Sequence, residues 1–159
     1  MVLFSLLNKK GETMSQILTG VSGEYFVAAE LSRRGFIASI TLRNTKGVDI
    51  LASNQDASKT VTIQVKSNKG KRKSWILNQK AEDFFGKGLF YVFVNLKGEN
   101  KFPDFHIVPS ETVAKTLKDG YKEWIKTVGR KGQKHNDTSM REFRDLKDKY
   151  LGKWNILGL

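Results

Sequence analysis

The sequence predicts an α/β domain, a mixed central sheet flanked by helices, on three observations. A helix-period segment at 22–34 is followed by three short apolar segments separated by turn residues; a continuous apolar run, "LFYVFVNL", stands at 89–96; and helical spacing returns after Pro109. At 159 residues such a chain is a single domain over 1–159, long enough to bury a full core.

The elements follow in order. In "SGEYFVAAELSRR" Ser22 stands as an N-cap before good helix formers, and Gly35 marks the stop. At about 100° per residue Glu24 falls in line with Val27, Ala28 and Leu31, which puts a carboxylate on an apolar stripe. "FIASITL" reads as a strand, "RNTKG" as a turn, and the segments 48–52 and 60–66 as strands joined by the polar "SNQDASK". A basic loop, "SNKGKRKSWILNQK", leads through Trp75, Ile76 and Leu77 to a short helix around 81–85. "LFYVFVNL" is rich in aromatic and branched residues and suits a strand buried on both faces. "DFHIV" is a further strand. Pro109 and Ser110 open a helix carrying Val113 and Leu117, which Gly120 interrupts. Ser139 and Glu142 have capping-box spacing ahead of Phe143, Leu146 and Tyr150, predicting a last helix, and "WNILGL" packs the C-terminus. The apolar start, "MVLFSLLNKKG", lacks a basic lead, a cleavage site and the length to cross a bilayer, and reads as an extension.

Composition narrows the function. Twenty-eight Lys and Arg against sixteen Asp and Glu give a net charge of +12, which points to a polyanion, most often nucleic acid. No basic amphipathic helix with a bulky apolar face favours a membrane instead. The chain has no cysteine, which excludes disulfides, thiolate zinc sites and cysteine nucleophiles and fits a cytoplasmic location. Between Ala57 and Ala81 there is no acidic residue, and Lys69, Lys71, Arg72 and Lys73 form a run suited to positioning phosphates. Trp75 fits either base stacking or the core. His106 reads as a core or edge histidine and His135 as a loop residue. Tyr121, Trp124, Phe143, Tyr150 and Trp154 suit helix-face packing.

One stretch asks for a different explanation. Strand alternation turns Gln64 and Lys66 to one side and Val61, Ile63 and Val65 to the other, while Asp49 shares a face with Leu51. If the two strands pair, Asp49 approaches Gln64 and Lys66. A helix carrying Glu24 against that sheet would then gather two carboxylates, an amide and an ammonium.

These residues resemble the PD-(D/E)XK nuclease superfamily, the fold of many restriction enzymes and archaeal Holliday-junction resolvases. The matching parts are the helix glutamate in "GEYFVAAELSRRGF", the aspartate in "GVDI", and "QVK" on the next strand, followed by a helix and "LFYVFVNL". The resemblance implies a restriction-endonuclease-like core over about 20–108 and a C-terminal helical extension over about 110–159. Val48 stands where the family's name has proline. Gln64 stands where a metal-binding acid is usual, and a neutral amide oxygen is a weaker ligand for a hard cation. Branches with Gln at this position exist, some intron-encoded homing endonucleases among them, so the chain is expected to be a QxK variant.

The resemblance implies a Mg²⁺-dependent DNA endonuclease, with Mn²⁺ as a substitute cation. In that scheme Asp49 is the main metal ligand, Gln64 donates its side-chain oxygen and Val65 its backbone carbonyl. Lys66 orients a water or steadies the phosphate, and Glu24 serves a second metal or an outer-shell water. Two readings stand beside it: a non-catalytic nucleic-acid-binding protein that kept the fold, and an RNA-directed nuclease or RNA-binding factor. DNA is the favoured partner. Cutting both strands with one site per chain would call for a homo-oligomer.

Overall fold

The computed structural model describes residues 2–42, 47–70, 72–98 and 100–159, with side chains from Ser15 onward. Helix α1 (Val2–Arg33) leads into a meander of β1 (Ile37–Ile40), β2 (Ile50–Ser53) and β3 (Thr60–Asn68). Then come β4 (Ser74–Asn78), a 3-10 turn at Gln79–Glu82, β5 (Leu89–Asn95), β6 (Asp104–Pro109), α2 (Ser110–Lys126), β7 (Met140–Arg144) and a second 3-10 turn at Trp154–Leu157.

Five strands form one mixed sheet in the order β1-β2-β3-β5-β6, in which β3 and β5 are parallel and the remaining pairs antiparallel. Strands β4 and β7 form a separate antiparallel ribbon. Alternation along the strands divides the core. Ile50, Ile63, Val65, Val92 and Ile107 meet Val27 and Leu31 of α1 on one face. Tyr91, Phe93 and Val108 meet Trp75, Phe143, Val113 and Leu117 on the other. The run at 89–96 is thus buried from both sides at β5, as a strand joining parallel and antiparallel neighbours requires.

Two close approaches depend on glycine. Gly23 has no room for a side chain: a Cβ there would lie 2.9 Å from Ser67 Cβ and 3.5 Å from Val65 Cγ1, so α1 rests directly on β3. Gly47 has φ +72° and the Phe84 ring against it, a turn geometry that only glycine adopts without strain.

Four expectations need correction. Ser22 is no N-cap: α1 continues through it, and its hydroxyl donates to the Leu18 carbonyl at 2.7 Å. The stop is as expected, since the N–H groups of Gly35 and Phe36 donate to the carbonyls of Ser32 and Leu31 in a Schellman arrangement. The short helix around 81–85 is a 3-10 turn beginning at Gln79, capped by the Asn78 side chain. Gly120 does not break α2, because Val113, Ala114 and Leu117 are already anchored in the core and one glycine costs only about 1 kcal/mol. The helix expected after Ser139 is strand β7. Arg141 and Phe143 alternate inward opposite Leu77 and Trp75, so a partner strand overrides the local capping spacing, and the C-terminal region carries one α-helix rather than several. The expected turn at 43–47 lies, apart from Gly47, outside the described residues.

Candidate active site

The site forms where β2 begins, beside the middle of β3. Asp49 sits one residue before β2. Its N–H donates to the Ile63 carbonyl at 2.9 Å, and its carbonyl accepts from Thr41 N–H at 2.9 Å. The Thr41 hydroxyl donates to the Val48 carbonyl at 2.6 Å. The backbone of Asp49 is therefore held from both sides, and its carboxylate accepts the Val65 N–H at 2.6 Å.

Asp49 lies just before the Ile50–Ile63 pair, with its N–H on the Ile63 carbonyl and its carboxylate on the Val65 N–H, so it flanks Gln64 in the sequence of β3. Lys66 shares the face of Gln64 two residues along β3, and its positive charge acts on the Asp49 carboxylate. Burial raises the Asp49 carboxyl above its ordinary range, and the Val65 N–H and Lys66 only partly offset this. A half-buried carboxylate short of compensation is where a cation would be stabilised.

Glu24 comes from the other side. A cleft of about 250 Å³ is lined by Gln16, Ile17, Gly20, Val21 and Glu24 of α1 together with Thr41, Leu42, Val48 and Asp49. Both acidic residues thus line one opening, with the helix glutamate on the stripe the periodicity indicated. Among the described residues no three His, Cys, Asp or Glu side chains converge as a metal-holding cluster. Gln64, Val65 and Lys66 are not among the residues lining this cleft; Val65 and Lys66 are linked to it through Asp49, by the Val65 N–H and the Lys66 charge.

Sequence reasoning missed Tyr91. In the parallel pairing of β3 with β5 it lies opposite Gln64. Tyr91 is fully buried, its hydroxyl has no hydrogen-bond partner among the described residues, and burial together with the Asp49 charge pushes its phenol up to about 12. The one hydroxyl in the otherwise apolar "LFYVFV" was the available signal.

The basic run is placed unevenly. Arg72 is exposed. The Lys69 ammonium bonds the Ser15 hydroxyl, and Lys73 pairs with Asp148. Lys71 lies outside the described residues. Trp75 belongs to the core, with its indole N–H on the Val94 carbonyl at 3.0 Å. His106 is buried, with Nδ1 2.7 Å from Asp145.

Comparison with solved structures identifies the fold. The chain is similar to the Holliday junction resolvase Hjc of Archaeoglobus fulgidus, an archaeal hyperthermophile, at TM-score 0.50 and 15% identity over 87% of this chain and 95% of that one. It is also similar to the bacterial homing endonuclease I-Ssp6803I, at TM-score 0.55 and 14% identity over 90% of this chain and 93% of that one. The mixed sheet flanked by helices is therefore the restriction-endonuclease-like architecture. No family model matches the sequence, and no curated protein does.

Proposed function

We propose that the protein is a divalent-metal-dependent endonuclease that hydrolyses phosphodiester bonds in DNA, with its reaction centre at the cleft between Asp49 and Glu24. The observation that carries this reading is the half-buried, under-compensated Asp49 carboxylate at the strand position from which the QxK segment is reached, in a chain whose fold is shared with two nucleases. The carboxylate oxygens of Asp49 and Glu24, the two acids that line the cleft, suit a hard cation such as Mg²⁺, with Mn²⁺ as a substitute. When bound, the cation would neutralise phosphate charge and make a water more acidic.

The chain's own residues supply the rest. The Val65 N–H fixes the orientation of the Asp49 carboxylate. Glu24 lines the opposite wall of the cleft, where it would accept a proton or a hydrogen bond from water. Lys66 holds a positive charge beside Asp49, suited to the negative charge that builds on the phosphoryl oxygens. Arg72 and its neighbouring lysines would hold the backbone of the nucleic acid without reading bases. Two copies would be needed to cut both strands of a duplex.

A second reading is favoured by one specific feature. With Gln64 in place of an acid and no three-carboxylate set among the described residues, the protein would bind nucleic acid without cutting it. Supercoiled plasmid with Mg²⁺ or Mn²⁺, treated with wild type, Asp49→Ala and Lys66→Ala beside an EDTA control, separates the two. Nicking by wild type that is lost in both variants and in EDTA is the expected result. Binding without nicking, on several DNA forms and on RNA, would establish the second reading instead.

A further inference from the structure

A second cleft, of about 430 Å³, lies between α2 and the β4–β7 ribbon and shares no lining residue with the one that holds Asp49 and Glu24. Its walls carry Ile76 and Met140 of the ribbon and Tyr121 and Trp124 of α2, with Arg144 beside them. Ile76 and Met140 are exposed, and Trp124 is 38% exposed. An apolar space of this size with a few polar groups at its walls takes a ring system.

The aromatic wall is braced. His135 stacks on Trp124 with ring centroids 4.0 Å apart. The Arg141 guanidinium lies 3.3 Å from the centre of the Tyr121 ring, and the Tyr121 hydroxyl bonds Asp137. Arg141 is itself buried and paired with Glu82. Because these rings are held before anything binds, little freedom is lost when something does.

Gly120 keeps the cleft open. It lies inside α2, where glycine is less favourable than alanine. Its φ is not left-handed, and a Cβ there would meet nothing within 4 Å. Neither the backbone nor the packing calls for glycine, so what its missing side chain leaves is room in the cleft that it lines.

Charge says what fits. Between Gly120 and His135, Lys122, Lys126, Arg130, Lys131 and Lys134 stand against Glu123 alone. Lys126 pairs with Glu123 at 3.0 Å, and the other four have no ion pair among the described residues. Lys122 follows Tyr121 directly and Lys134 precedes His135, so free cations flank the aromatic wall in sequence. Aromatic side chains beside cations are what a nucleic-acid strand with unstacked bases requires, since the rings take the base and the cations its phosphates. A paired base in a duplex keeps its faces stacked and cannot enter.

We propose that this cleft receives an unpaired base of a DNA strand, laid against Trp124, with Lys122 and Lys134 holding the flanking phosphates. The protein then prefers DNA that carries unpaired bases over a perfect duplex. This rests on the nucleic-acid partner in the reading above and not on cleavage.

The test is made in EDTA, where no metal-dependent cutting intervenes. Binding is followed by anisotropy with a fluorescein-labelled single strand of about twelve nucleotides, the same strand with its central bases removed and its phosphates kept, and a duplex. Wild type should bind the intact strand about tenfold more tightly than the abasic one. The unlabelled strand should also quench tryptophan emission, and because Trp75 and Trp154 are buried the quench reports on Trp124. Gly120→Leu fills the cleft with Trp124 in place; it should lose both the quench and the preference for bases while keeping its affinity for the duplex. Trp124→Ala should lose the preference as well, and decides the matter should Gly120→Leu fail to fold. Equal affinity of wild type for intact and abasic strands would overturn the proposal while leaving the nucleic-acid partner standing. A preference that survives in both variants would overturn it too, by placing the base elsewhere. Binding to none of the three DNAs would overturn it together with the nucleic-acid reading.

Discussion

Two carboxylates in this molecule are built to opposite ends. Asp145, at the end of the β4–β7 ribbon, is nearly buried, yet it receives His106 Nδ1 at 2.7 Å and the N–H groups of Lys149 and Tyr150 at 2.9 Å each. Burial pushes its carboxyl upward, but His106 and the two backbone amides outweigh it and hold the carboxyl below its ordinary range. Asp49 at the cleft is also withdrawn from water, with the Val65 N–H and the Lys66 charge set against burial, and there burial prevails. The fully bonded acid ties the C-terminal segment to β6. The acid left short of partners is the one able to gain from a cation.

The comparison breaks most visibly if Asp49 is neutralised. Asp49→Asn should reduce metal-dependent nicking by on the order of a hundredfold or more, while its melting temperature in EDTA at neutral pH should equal or exceed that of wild type. A drop in melting temperature would mean that Asp49 is a structural acid like Asp145. Asp145→Ala should do the reverse. Leaving the buried His106 without its partner should cost about 3 kcal/mol in urea unfolding, with nicking retained at temperatures where the variant remains folded.

The pH dependences should also oppose each other. The lowered carboxyl of Asp145 contributes stability that is complete above the unfolded-state value and lost as pH falls through the folded one, so the gap between wild type and Asp145→Asn should narrow in acid. The raised carboxyl of Asp49 contributes relative stability below the unfolded-state value, and this is lost as pH rises through the folded one. Any advantage of Asp49→Asn in EDTA should therefore be present at neutral pH and vanish in acid. Parallel urea titrations across the carboxylate range check both signs. The smallest effect belongs to the exposed Arg72: its replacement by Ala should weaken DNA binding about two- to threefold and lower the salt slope by about one.

Much of the architecture was legible in the residues. Period-two alternation in 60–66 and the apolar run at 89–96 gave β3 and β5 their faces, and the helical stripe through Glu24, Val27 and Leu31 gave α1 its orientation toward the sheet. Asp49 was conspicuous because an apolar strand has no use for it. What could not be read depended on partners distant in sequence. Trp75 to Leu77 and Arg141 to Phe143 become strands by pairing with each other across more than sixty residues, so local capping spacing misled. Tyr91 escaped notice because its importance comes from lying opposite Gln64, and register is a property of two strands together.

The contact at Gly23 carries a consequence of its own. Because a methyl group there would strike Ser67, the distance between α1 and β3 is set by an atom that is missing, and Glu24 is the very next residue along the helix. The height of Glu24 above the sheet is thus gauged one residue away, where the helix touches β3, as a shim sets the gap between two plates. Even Gly23→Ala, conservative by any measure of polarity and favourable to helix formation in isolation, would lift α1 from the sheet and carry Glu24 with it, widening the opening without touching either acid.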